Sequence, residues 1–330
     1  MRKLARRLVS APAGAVLRYS REMRRALIAL ALASGGCLDG AGGGGVSGPY
    51  TELVLNELIL PTTTAQAEML SFNLDGTGAA ADNALGTVIS LIGGVGLDLQ
   101  AGVDGPIANG DVVILHAIQA ESLESGPASW QVYLGDASAT PPAFDGSDTF
   151  TRSATGINNA LLGGTITRGR FAGGPATVRL ILKFGTDVDF LIVDLIGAQI
   201  QADVSAAGAT NAVIGGAITA FDVEMKVVPA IAQVMTGIML EGCTCTGSGP
   251  PACTADTAGD SLDSMFNSTH DCEITGPELA ANPLVENGLA ADVDMFNGTK
   301  FEPGVDGEPD SLSMGVGFTA VPALFDRPNE

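Results

Sequence analysis

Phe190-Leu191-Ile192-Val193-Asp194-Leu195-Ile196-Gly197-Ala198-Gln199-Ile200 is the stretch that decides the fold class. A run this rich in Val, Ile and Leu suits a pleated, half-buried surface and reads as a strand. Similar runs at 51–60, 66–74, 112–119, 130–134 and 177–184 read the same way, and two interruptions at 83–92 and 97–107 read as helices after acidic or Asn-rich turns. With 44 Gly and many Val, Ile, Leu and Thr clusters, the chain looks like short strands joined by tight turns. The expected fold is therefore mainly β with helical inserts (α+β), a β-sandwich-like domain over residues 49–245.

Further along, Ile231, Val234, Met235 and Ile238 fall at helical spacing and predict a helix over 229–241, opened by Pro229 at its first position. Residues 246–251, with Gly247, Gly249, Pro250 and Pro251, read as a linker, which makes 246–330 a small disulfide-stapled module. A glycine-pair echo, Leu162-Gly163-Gly164-Thr165-Ile166-Thr167 and Ile214-Gly215-Gly216-Ala217-Ile218-Thr219, reads as structural, a bulge or close backbone packing.

At the other end, eight basic residues between Arg2 and Arg25 precede the apolar run 26–33 and then Ser34, Gly35, Gly36 and Cys37. This is the order of an export signal, and the run is shorter than the roughly 20 residues a spanning helix needs. A start at Met23 would give a leader of more ordinary length. The segment Leu32-Ala33-Ser34-Gly35-Gly36-Cys37 resembles the lipobox of bacterial lipoproteins, in which the cysteine is acylated and becomes the mature N-terminus. That resemblance makes residues 1–36 a lipoprotein signal peptide, Cys37 the lipid anchor to a membrane, and 37–48 a Gly-rich tether. By the same resemblance Leu38, standing where an Asp would favour the inner membrane, implies the outer membrane.

The chain carries 16 basic and 37 acidic residues, a net charge of −21. Eight of the basic residues and one acidic residue lie in the leader, so the exported part holds 8 against 36, a net of −28. Such a field repels nucleic acid and attracts metal cations. Cys243, Cys245, Cys253 and Cys272 cluster in this exported part and read as two disulfides. A bridge between Cys243 and Cys245 would be strained. Two pairings stay open, Cys243 with Cys253 and Cys245 with Cys272, or Cys243 with Cys272 and Cys245 with Cys253.

Three acidic loops are the candidate chemistry. In the EF-hand register, Asn267 takes position 1, Thr269 position 3, Asp271 position 5, Glu273 position 7, Thr275 position 9 and Glu278 position 12, with Cys272 where the loop wants Gly. Calcium is the cofactor this spacing suggests, although only a few of these side chains bring full charge, and a disulfide at Cys272 offers the same loop a second means of support. Asn73, Asp75, Thr77 and Asp82 form a weaker calcium candidate, whose alternative is a turn with Asp82 or Asn83 capping a helix. The third loop, 306–311, reads as an ordinary turn.

The run Asp271-Cys272-Glu273-Ile274-Thr275, with Ala291-Asp292-Val293-Asp294 and Asp310-Ser311-Leu312-Ser313-Met314-Gly315-Val316-Gly317-Phe318, resembles Gram-negative bacterial lipoproteins that carry a degenerate, Cys-containing EF-hand-like loop. The resemblance implies export and calcium, and no catalytic residue. His116, alternating with apolar neighbours, reads as a core or edge residue, and the second histidine, His270, lies in the Cys-rich loop. Neither a nucleophile elbow nor a phosphate loop is present. The expected function is a lipid-anchored surface protein with a binding, adhesion or envelope-structural role, its protein or glycan partner unnamed by any motif. The alternative is a secreted carboxylate-dependent hydrolase.

Overall fold

The computed structural model describes residues 46–77, 82–94, 99–154, 160–183, 189–246 and 249–327. The long strands are β1 (Tyr50–Ile59), β2 (Ile114–Ala120), β3 (Ser125–Leu134), β4 (Ala160–Thr167), β5 (Arg170–Leu182), β6 (Leu191–Ser205), β7 (Gly208–Thr219) and β8 (Ser311–Pro322). Each pairs antiparallel with the one before it, and β8 returns to pair with β1, so the sheet closes into an up-and-down barrel. The chain is mainly β with helical inserts, as its sequence indicates. The sandwich-like layering gives way to one continuous sheet, because β1 is paired on both sides and, among the described residues, the long strands leave no open edge.

The helices are α1 (Thr64–Met69), α2 (Ala84–Gly94), α3 (Leu99–Ala108), α4 (Ala220–Gly242), α5 (Ala258–Phe266), α6 (Gly276–Ala281) and α7 (Pro283–Gly288). The expected strand at 66–74 is replaced by α1: the Thr63 hydroxyl accepts from the Gln66 amide at 3.2 Å, capping a run of good helix formers. α4 extends beyond the expected 229–241 through a widened π-type turn at Val223–Val227. That turn lies just ahead of Pro229, which cannot donate to the carbonyl four residues back and would crowd it in a regular helix. Although α4 is long and apolar enough to cross a membrane, it packs Val228, Ala232, Met235 and Met239 into the main core.

The expected boundary at 246 is also revised. Cys243–Thr244 pairs with Ala252–Cys253, so the Gly- and Pro-rich stretch connects two arms of a small hairpin. The final barrel strand, β8, comes from the supposed second module, and the described residues fall in one compact unit. The leader, Cys37 and the tether up to residue 45 lie outside the described residues.

Burial alternates along the strands. On β6, Leu191, Val193 and Leu195 face the core while Asp194 lies on the outer side, and irregular pairing between Ile196 and Gln199 shifts the phase so that Ala198, Ile200, Ala202 and Val204 continue inward. Outer positions of β5 and β6 carry the ion pairs Arg170–Asp203 at 2.8 Å and Arg179–Asp194 at 2.6 Å. A barrel that crosses a bilayer has an apolar outer band. On β5 and β6 the outer face instead carries these ion pairs while the apolar side chains of the same strands point inward.

Two outer patches are apolar, and each is covered by chain. Val54, Leu115 and Tyr133 on β1, β2 and β3 are roofed by Phe150 and Phe325, which sit on a short parallel pair, Thr149–Phe150 with Leu324–Phe325. Ala217 on β7 is covered by Phe72, Leu74, Val293 and Met295. The second cover brings the 72–82 segment and the 292–295 segment to the same side of the barrel.

Candidate functional site

Around Trp130 the barrel interior is filled by its own side chains. Trp130, Phe171 and Phe318 are fully buried, with Trp130 5.1 Å from Phe171 and 6.1 Å from Phe318 between ring centroids. His116 stacks on Phe318 at 5.0 Å, and its Nδ1 accepts from the Trp130 indole N–H at 3.0 Å. The expectation that His116 is a core residue fits this placement, and its Nε2 is buried without a hydrogen-bond partner.

Burial drives the His116 pKa down from 6.5 to about 3, so the imidazole is neutral in the folded protein. In the unfolded chain it protonates near its ordinary value, so between pH 6.5 and 3 the unfolded state binds more protons and stability falls as pH drops. Each pH unit in that window should cost about 1.4 kcal/mol from this group. Chemical denaturation of the wild type and His116→Gln at pH 7, 6 and 5 checks it: the wild type should lose stability more steeply, and parallel curves would reject a buried neutral imidazole.

The cysteines form Cys243–Cys253 and Cys245–Cys272, the first of the two open pairings. The second bridge ties Cys272, inside the EF-hand-like loop, to the end of α4. Within that loop Asn267 is buried, and its side-chain amide donates to the Asp263 carboxylate at 2.7 Å and to the Asp271 carbonyl at 2.6 Å. The Asp271 carboxylate accepts from the Glu273 amide at 2.9 Å.

Glu278, the expected bidentate ligand, has both oxygens engaged by the protein. One accepts from the Thr269 amide at 3.0 Å and hydroxyl at 2.9 Å, and the other from the Thr275 amide at 3.0 Å and hydroxyl at 2.8 Å. With Thr275 it forms a capping box at the start of α6. Partial burial alone would raise this carboxyl, but the donors from Thr275 and Thr269 outweigh it and hold the pKa down to about 2. The loop thus keeps an EF-hand spacing while its oxygens close on its own amides and hydroxyls.

In the 73–82 loop, Asp75 accepts from the Thr77 amide and hydroxyl, both at 2.8 Å, and its other oxygen accepts from the Asp294 amide at 3.3 Å. Asp82 accepts from the Leu74 amide at 2.9 Å, and Asn73 is exposed. The cap of α2 falls to Asn83, whose Oδ1 accepts from the Gly86 amide at 3.0 Å. Asp292 is exposed by area, but its carboxylate turns onto Ser313, accepting from that amide at 2.7 Å. Desolvation raises the pKa of both Asp82 and Asp292, and repulsion from Asp75 raises each further. Among the described residues, no three Asp, Glu, His or Cys side chains stand together as a ready-made metal cage.

Two hollows remain. A cavity of about 40 Å³ lies between the barrel and helices α2 and α4, lined by apolar residues such as Leu85, Ile89, Leu191, Ile231, Met235 and Met314. A groove of about 180 Å³ runs between α4 and α7, with Glu224 and Glu286 among its lining residues. Both of these carboxylates are solvent-exposed, whereas carboxylate-pair hydrolysis relies on one being desolvated.

No family model, curated protein or solved structure matches this chain.

Asp294 stands outside both candidate ligand sets read from the sequence. It lies in an alternating run, Val293-Asp294-Met295, that reads as a short strand, and only the approach of loops more than 200 positions apart gives its carboxylate a setting. Its one local signal is an acidic residue between two apolar ones that are themselves fully buried.

Proposed function

We propose that this chain is a lipid-anchored, exported envelope protein whose barrel is a scaffold for a binding, adhesion or structural role. The observation that carries this reading is the filled interior: Trp130, Phe171, Phe318 and His116 occupy the space where a ligand-binding barrel would keep a cavity. Binding would then fall to the polar outer surface and its loops. The outward polarity of β5 and β6 suits a domain held in water beside a membrane, with the acyl chains on Cys37 supplying attachment. Two disulfides suit an oxidising compartment, and the outer membrane is the proposed address.

Mass spectrometry of the protein extracted from cell envelopes tests the anchor. The expected N-terminal peptide begins at Cys37 and carries diacylglyceryl mass, and Cys37→Ala should release the protein from the membrane fraction. An uncut chain in the cytosol, or an unmodified Cys37 at the mature terminus, would overturn the reading.

A further inference from the structure

Asp294 is 2% exposed, yet one oxygen of its carboxylate, Oδ1, is buried without a hydrogen-bond donor. Its other oxygen accepts from the Gly307 amide at 2.7 Å. Its own amide donates to the Asp75 carboxylate at 3.3 Å, and its carbonyl accepts from the Gly304 amide at 2.9 Å. The 75–77 turn therefore meets the backbone of this residue, and the 304–307 turn meets both its backbone and its carboxylate. They press together closely enough that a Cβ at Gly304 would collide with the Asp75 carbonyl oxygen.

An ionised, buried carboxylate oxygen without a donor is costly unless an opposite charge meets it. No Lys, Arg or His among the described residues pairs with Asp294. The charged groups around it are anionic: Asp75 is in contact, and Asp82 and Asp292 lie near enough to Asp75 to feel its repulsion. All the available donors are oxygens, which favours a hard cation over zinc or copper.

We propose that Asp294 and Asp75 hold a calcium ion that pins the 75–77 turn to the 304–307 turn against β7. The carboxylates of these two residues supply the charge, with Asp82 and Asp292 adding to the negative field and water completing the shell. Two charged ligands make this a weak site, of the millimolar class found in extracellular modules. The site is separate from the EF-hand-like loop, and the proposal does not depend on the scaffold reading.

Thermal unfolding of the full chain in detergent, stripped with EGTA and then supplied with 5 to 10 mM calcium, tests it. The wild type should gain about 3–6 °C in Tm. Asp294→Asn should match or exceed the wild type in EGTA, because a buried charge has been removed, and should lose the calcium response. Asp75→Asn, at a less buried position, should also lose it if Asp294→Asn folds poorly. Glu278→Gln should keep the response. An unmoved wild type, or a response that survives both Asp75→Asn and Asp294→Asn, would overturn the proposal, as would a response abolished by Glu278→Gln alone.

Discussion

Asn83→Ala is expected to lower unfolding free energy by about 3–5 kcal/mol, among the largest effects of any single substitution in this chain. The Asn83 side chain is buried and meets five backbone groups from three elements. Its Nδ2 shares two N–H donors among the carbonyls of Ala67 at 3.0 Å, Leu70 at 3.0 Å and Gly315 at 2.9 Å, while Oδ1 accepts from the amides of Gly86 at 3.0 Å and Gly315 at 2.9 Å. The reason lies in the barrel. Pairing of β1 with β8 stops at Ile59 opposite Gly317, so Gly315 faces outward from the ladder with nothing beside it on that edge. The Asn83 carboxamide takes the place of the missing strand, offering one donor and one acceptor as a peptide group would. Position 315 must be glycine, since a Cβ there would strike the Leu70 carbonyl oxygen. Alanine at 83 would leave these buried groups unsatisfied, and Asn83→Asp, which keeps the acceptor but turns a carboxylate oxygen toward the three carbonyls, should lose at least as much. Urea denaturation followed by circular dichroism measures both, and a loss below about 1 kcal/mol for Asn83→Ala would show that the carboxamide is not the edge partner.

Trp130→Ala should cost as much or more, about 4–6 kcal/mol, combining the 3–5 kcal/mol of a large-to-small core change with a lost buried hydrogen bond. Trp130 is 0% exposed and bridges β2, β3 and β5 by touching His116 and Phe171. Its removal opens a void in the filled part of the barrel and leaves His116 Nδ1 without its donor. Trp130→Phe keeps most of the volume and should fall well short of that loss. Against a typical total of about 5–15 kcal/mol, the alanine variant should be close to unfolded at 37 °C, visible as an early, broad transition in denaturant. A near-normal midpoint would mean that the interior can relax around the gap, which a tightly filled barrel does not allow.

Much of the sheet is legible in the sequence. The runs at 51–60, 112–119, 130–134, 177–184 and 190–200 correspond to β1, β2, β3, β5 and β6, because Val, Ile and Leu mark those strands strongly. β4 and β7 are harder to read, since the Gly163-Gly164 and Gly215-Gly216 pairs dilute the signal. Those pairs are required by packing: a Cβ at Gly164 would meet the Ala172 carbonyl and Phe171, and one at Gly215 would meet Phe72. β8 does carry a period of two, with Leu312, Met314, Val316 and Phe318 separated by Ser313, Gly315 and Gly317. Reading it as a strand would have placed the C-terminal part in the barrel and removed the boundary at 246. The small residues in that strand answer to neighbours distant in sequence, Asn83 and Asp292, which a local pattern does not contain.

The acidic loops divide in the same way. The EF-hand register at 267–278 is visible by counting, and so is the capping role of Thr275 and Glu278, because Thr-x-x-Glu ahead of Leu279 is a helix-start signature. The enclosure of Asp294 depends on the barrel bringing residue 75 beside residues 294 and 304, and that follows only from closure.

Closure through β8 is therefore what the rest depends on, and amide hydrogen exchange read peptide by peptide tests it most directly. Residues 311–322 should exchange as slowly as β1 and β7, their two neighbours, and only through global unfolding. Rapid exchange of 311–322 while β5, β6 and β7 stay protected would show an open sheet and contradict the barrel.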